Sequence, residues 1–471
     1  MRNCLLLPFL ILFMGIPVSG QHEMVVFKSS KHDISEFLGS NGIQGIVIKN
    51  DHHQVVEKIS GSLHGPSIEQ RFFGEREPAD LVTRFEGLGY GFTGPQGVAR
   101  HRNPSDNSLA VGPDHIVQTV NSRMAIFTKK GVFFDTTGRV LYGPVETNNV
   151  FRGFGGPCEE FNNGDAVVRY DQLAQRWLIV MPIFRRLPKR EYEPEPGVPD
   201  GDATLSMAGQ PSQPGDPAPL YEPPPITREE QERLDSIRRI TRRQPLPEKG
   251  SYCMCYAIST GPDPMGPYYR YEFVRPLFPD YPRPAVWPDG YYIPTSTGDH
   301  VIQKHACVVE RSKMLEGKPA RELCFIMDSV NFLNNADLDG FELPPDGAPN
   351  IMMATGGTQL ENDFTDNGIY TWNFHVDWDD PSRSKLEGPE KIEVAGYHYM
   401  GNGQLSESVP QPGTDQKLDS QGDKIMSRLV YRRMDDTESI VAVHSVNTSM
   451  GTGAVRWYEF RVEADRRVRL F

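Results

Sequence analysis

Four aspartates recur in the same kind of place, the turn that leads into an apolar run: Asp106 in SDNSLAV, Asp165 in GDAVV, Asp289 in PDGYY and Asp423 in QGDKIM. Glycoside cleavage needs such carboxyls in pairs, one to protonate the leaving oxygen and one to serve as base or nucleophile on the same bond. If the turns converge, these four are the candidate catalytic acids. An Asp at a turn before a strand also caps its own backbone, a role that needs no convergence. The sequence holds no Gly-x-Ser-x-Gly, no His-Glu-x-x-His and no phosphate-binding glycine loop, so no nucleophile–base pair is visible in it.

A second oxygen-rich set points to a metal. Asn335, Asp337, Asp339, Gly340 and Asp346 fall at positions 1, 3, 5, 6 and 12 of an EF-hand-like loop, which makes calcium the candidate cofactor. An Asp in the last position, Pro344 and Pro345, and the lack of flanking helical patterns count against it. Glu361, Asp363 and Asp366 form a further acidic loop with less pattern. His115, His375 and His444 lie inside strand-like runs and read as core or face residues, although strand alternation puts His375 and Asp377 on one face. Trp287, Trp372, Trp378 and Trp457 read as packing, and one of them at a ring mouth would stack on a sugar.

The cysteines speak for an oxidising compartment. Arg2, the apolar stretch Leu5 to Met14 and the small residues Val18-Ser19-Gly20 read as an export signal over residues 1–20, which removes Cys4 and starts the mature chain near Gln21. Cys307 and Cys324 stand on apolar runs joined by a polar turn, the pattern of a bridged hairpin. Cys158 pairs with one cysteine of the Cys253-Met254-Cys255 strand, Cys255 being the candidate partner, and one thiol is left over. No later apolar run is long enough to span a bilayer. The net charge of -13 argues against nucleic acid as a partner.

The elements that must position these residues repeat. Apolar strands entered from Asp/Gly/Pro turns recur in segments starting at Ser105, Gly164, Arg283, Asn350 and Ser427. Such a unit cannot bury its apolar face alone and must stack on its neighbours, so the expected fold is an all-β propeller of about five to six blades over residues 85–465. Residues 21–84 are expected to form a small N-terminal α/β appendage, with Asp33 capping a short helix. Residues 185–250 interrupt the ring: a Pro-rich loop, then an amphipathic helix opened by Thr227 and Glu230 in capping-box spacing.

Seven motifs in one order carry a resemblance: FEGLGYGF at Phe85, SDNSLAVGPDHIVQTVN at Ser105, GDAVVRYDQLAQRWL at Gly164, YAISTGPDPMGPYYRYEF at Tyr256, FPDYPRPAVWPDGYY at Phe278, PQPGTDQKLDSQGDKIMSRLVYR at Pro410 and GAVRWYEFR at Gly453. With them the chain resembles a group of exported bacterial propeller-like proteins common in acidobacterial-type genomes. The resemblance implies fold and export, secreted or periplasmic, and no catalytic residue. Two departures stand out. The 185–250 insertion replaces a short loop, and relatives continue past the RWYE strand into another blade, so the ring either closes with fewer strands or keeps a gap. Propellers host binding and catalysis alike. The expected function is therefore an extracellular module binding a glycan or a protein, the alternative being a polysaccharide hydrolase or lyase that uses axial carboxylates.

Overall fold

The computed structural model describes residues 22–38, 69, 79–100, 105–184, 252–275, 278–295, 304–327, 330, 332–357, 364, 366–400, 407–422, 424–426, 428–448 and 453–471. The expected export signal and the 185–250 insertion, with its helix, lie outside the described residues.

The chain opens with two short strands, β1 (Glu23–Lys28) and β2 (Lys31–Ile34), and a small hairpin of β3 (Thr93–Gly94) and β4 (Gly97–Val98). Five four-stranded antiparallel blades follow. Blade 1 is β5 (Asn107–Val111), β6 (His115–Val120), β7 (Arg123–Thr128) and β8 (Val140–Glu146). A connection through the short helix α1 (Pro157–Glu160) leads to blade 2, made of β9 (Val167–Asp171), β10 (Arg176–Ile183), β11 (Tyr252–Ser259) and β12 (Tyr268–Arg275). Blade 3 is β13 (Ala285–Val286), β14 (Tyr291–Tyr292), β15 (Lys304–Val309) and β16 (Arg321–Met327), with helix α2 (Arg311–Leu315) between the last two. Blade 4 is β17 (Asn334–Asp339), β18 (Asn350–Gly356), β19 (Gly368–His375) and β20 (Lys385–Ile392). A hairpin of β21 (Glu407–Pro410) and β22 (Lys417–Asp419) precedes blade 5: β23 (Leu429–Met434), β24 (Thr437–Asn447), β25 (Gly453–Val462) and β26 (Val468–Leu470).

The first strand of each blade is the innermost. Ser108 of β5 bonds Val168 of β9, the Arg169 side chain donates to Pro284 just before β13, and the Val286 amide of β13 donates to Asp337 of β17. β17 and β23 pair directly in parallel, Ala336 opposite Leu429. Among the described residues no strand pairing joins blade 5 back to blade 1, and Val455 and Trp457 on blade 5 are exposed.

Interblade packing explains why the strand sequences are apolar at successive positions. On β11, Cys253, Cys255 and Ala257 enter the core shared with blade 1, while Met254, Tyr256 and Ile258 enter the core shared with blade 3. A strand between two blades is buried on both faces, so it reads as a continuous hydrophobic run. Each fully buried Val, Leu, Ile, Phe or Met side chain contributes about 1.5–3 kcal/mol relative to exposure. Charged pairs interrupt the apolar seam between blades 2 and 3, among them Asp171 with Arg311 at 2.7 Å. Arg275 donates to Glu322 at 2.7 Å with both side chains fully buried, and Tyr256 donates to the same carboxylate. Both expected bridges are present, Cys307–Cys324 across the β15–β16 ladder and Cys158–Cys255 from α1 to β11.

The N-terminal segment departs from expectation. Lys31–Ile34 is a strand, not the start of a helix, and Asp33 accepts two bonds from Arg270 at 2.7 and 2.6 Å instead of capping a helix. The reason is tertiary: β2 adds to the outer edge of blade 2 along β12, and β1 adds to the outer edge of blade 3 along β16. Two edges that would offer unpaired backbone groups are covered by one segment.

Candidate functional site

The connections into the innermost strands converge at one end of the axis. Asp106 stands one residue before β5 and Asp165 two before β9, and Asp280 precedes β13 in the FPDYPRPAV stretch. These three carboxyls meet. Asp165 shares hydrogen bonds with both Asp106 and Asp280, whereas Asp106 and Asp280 act on each other through space. All three residues keep partial exposure, although burial dominates the surroundings of the Asp165 and Asp280 carboxyls. Asn121, at the β6–β7 turn, donates to Asp106 at 2.5 Å, and Gly164 packs so closely on the Asn121 side chain that a Cβ there would lie 2.8 Å from it.

Burial, the Asp106 and Asp280 charges and the bonds to both neighbours push the Asp165 carboxyl well above the usual range. Burial also raises Asp280, opposed by its bond from Asp165, its acceptance of the Tyr281 amide at 3.0 Å and the Arg283 charge. Arg283 itself is lowered to about 10 by its own burial. It donates to the carbonyls of Leu333 and Tyr281, each at 2.8 Å, and so pins the strand entrance of blade 3.

The backbone here is held in an uncommon conformation. Asp106 (φ 30°), Asn121 (φ 49°), Asp165 (φ 53°) and Tyr281 (φ 45°) are all left-handed. Each such residue costs on the order of 1–3 kcal/mol and persists only where surrounding structure enforces it, a situation concentrated at functional sites.

Two of the four acids expected to converge thus do so. Asp423 lies outside the described residues. Asp289 does not join the others: it sits in the β13–β14 turn, accepts from Tyr292 at 3.2 Å, and is pushed up to about 6, chiefly by burial. Asp280 takes its place, and its signal was positional, an acid ahead of the first strand of its blade. The PDG turn drew attention to Asp289 because it mimics that setting one strand too late.

The calcium set is also corrected. Asn335, Asp337 and Asp339 lie on β17, the innermost strand of blade 4, not in a loop. Asn335 donates to the Tyr292 carbonyl, Asp337 pairs with Arg169 at 3.5 Å and with Arg428, and Asp339 pairs with Arg428 at 3.3 Å and Arg432 at 3.4 Å. Asp346 is exposed on a turn beyond the strand. The two strand aspartates of the set are spent on guanidinium groups. His375 and Asp377 also part, His375 pairing with Glu387 and Asp377 with Arg383.

Fold and site together define a five-bladed β-propeller with a three-carboxyl cluster where its inner strands begin. No protein-family model matches the chain, and comparison with curated proteins finds no match. Among solved structures, the chain is similar to an exo-1,5-α-L-arabinanase from a bovine ruminal metagenomic library, at 8% identity and a TM-score of 0.30, covering 78% of this chain and 96% of that one. It is also similar to a Cellvibrio cellulosa α-L-arabinanase, at 10% identity and a TM-score of 0.25, covering 79% of this chain and 96% of that one. Values this low say nothing about ligand or chemistry. Among the described residues no helix is long and apolar enough to cross a membrane.

Proposed function

We propose that this chain is an exported propeller that binds a glycan at Asp106, Asp165 and Asp280. The observation that carries the reading is the contact among these carboxyls without a guanidinium bonded to Asp165 in their midst. A carboxyl pushed well above the usual range is available as a donor and carboxyl oxygens accept, so the cluster offers both halves of the hydrogen bonding that vicinal hydroxyls need. Two disulfides suit an oxidising compartment.

Binding is favoured over cleavage by spacing. Hydrogen-bonded carboxyls are closer than the ~5 Å that the tightest glycosidase pairs keep to flank a bond. The upward shift of Asp165 supports a second reading, in which it acts as general acid while Asp106 or Asp280 serves as base.

Calorimetric titration of the mature chain with a panel of oligosaccharides, run beside a reducing-end assay, separates the two. The expected result is saturable binding of at least one saccharide, weakened tenfold or more in Asp106→Asn and Asp280→Asn, with no new reducing ends. Binding that is indifferent to both substitutions overturns the assignment. New reducing ends that vanish in Asp165→Asn replace it with the hydrolase reading.

A further inference from the structure

The fifth cysteine of the mature chain belongs to neither bridge, yet it stands beside one. Cys253 precedes Cys255 by two residues on β11, so strand alternation puts both on the same face. The sulfurs of Cys158, Cys253 and Cys255 all lie within 4.8 Å of one another, in the sealed core between blades 1 and 2. Glu272, directly across the ladder from Cys255, has a carboxylate oxygen 3.6 Å from the Cys158 sulfur.

We propose that Cys158 has two alternative partners on β11 and that the bridge exchanges between them. The Cys253 thiolate attacks the Cys158 sulfur, a Cys158–Cys253 bond forms, the Cys158–Cys255 bond breaks, and Cys255 leaves as a thiolate that takes up the proton Cys253 gave up. One disulfide and one thiol are present before and after, so no oxidant or reductant is consumed.

The exchange has a route to the axial site. Cys158 anchors α1 in the connection from blade 1 to blade 2, and seven residues later that connection delivers Asp165. On the way, Asn162 donates to the Ser122 carbonyl at 2.8 Å, beside Asn121, which holds Asp106. The alternate partners stand about 6–7 Å apart along β11, and because the three sulfurs already lie within 4.8 Å of one another, Cys158 reaches either by a smaller shift. The connection therefore has two anchored arrangements, and the carboxyl cluster stands at its far end. This last step concerns the same cluster as the proposed glycan site but does not need a glycan to be tested.

Disulfide mapping by mass spectrometry checks the exchange directly. The mature chain is incubated at pH 7 and pH 9, quenched in acid, alkylated and digested. The expected result is a Cys158–Cys253 peptide beside the Cys158–Cys255 peptide, forming faster at the higher pH. In Cys255→Ser, Cys158 and Cys253 are expected to resist alkylation as a new bridge. Only the Cys158–Cys255 peptide at both pH values overturns the exchange, and this holds even if Cys255→Ser fails to fold. Hydrogen exchange over residues 161–166 is then compared in Cys253→Ser and Cys255→Ser, each locked in one arrangement. Different protection supports the link to the site, and identical protection removes it while leaving the glycan reading untouched.

Discussion

Two acid clusters lie on or just ahead of the inner strands, and they are met in opposite ways. On β17, Asp337 and Asp339 meet Arg169, Arg428 and Arg432. At the entrances of blades 1 to 3, Asp106, Asp165 and Asp280 meet each other, and Asp165 is pushed well above the usual carboxyl range as a result. The first arrangement joins blades 2, 4 and 5 by charge and hydrogen bonds. The second stores repulsion and left-handed backbone where solvent can reach it, the pattern of a site kept for a ligand instead of for stability. Similar residue types on neighbouring strands therefore serve different ends, and the partner decides which.

The largest effect should come from breaking the neutralised cluster. Asp337→Ala leaves Arg169 buried without its carboxylate, and removing one partner of a buried pair costs about 3–5 kcal/mol. Urea denaturation should show a clear loss of stability; an unchanged midpoint would mean that the arginines facing β17 carry no structural charge role.

The unneutralised cluster should respond to pH with the reverse logic. A carboxyl whose folded pKa is raised binds its proton more tightly in the folded than in the unfolded state. Stability from Asp165 is thus fully present below about pH 4, the unfolded value, and is lost as pH rises through the higher folded value. Asp165→Asn should flatten the fall in Tm above pH 4, and its Tm at pH 8 should equal or exceed that of the wild type. A steeper fall in the variant would show that Asp165 is ionised and stabilising in the native protein.

The smallest effect is expected on the exposed face of blade 5. Trp457 is 65% exposed on blade 5, and Trp457→Ala should change stability by no more than about 0.5 kcal/mol and leave saccharide binding intact. Loss of binding in this variant would move the site from the axis to the blade 5 face.

Much of the architecture was legible because it rests on periodicity. Alternating strands between Gly/Pro/Asp turns require stacking, and five repeats became five blades. The Cys307–Cys324 bridge followed from two apolar runs joined by one short turn. The calcium loop was misread for a related reason: ligand positions 1, 3 and 5 have the same spacing as one face of a strand, so a local pattern cannot separate Asn335, Asp337 and Asp339 in a loop from the same residues on β17. Asp33 was misassigned because its partner, Arg270, is more than two hundred residues away.

The sequence by itself determined the all-β repeat, the cysteine pairs available and the habit of placing an acid before a strand, since these depend on neighbours within a few residues. Only the tertiary structure decided which acids meet one another, which are bound by arginines and which of two cysteines Cys158 meets. Those outcomes depend on distances between segments far apart in the chain, and at a few ångströms a carboxyl's charge, proton and role are set by whatever the fold brings to face it.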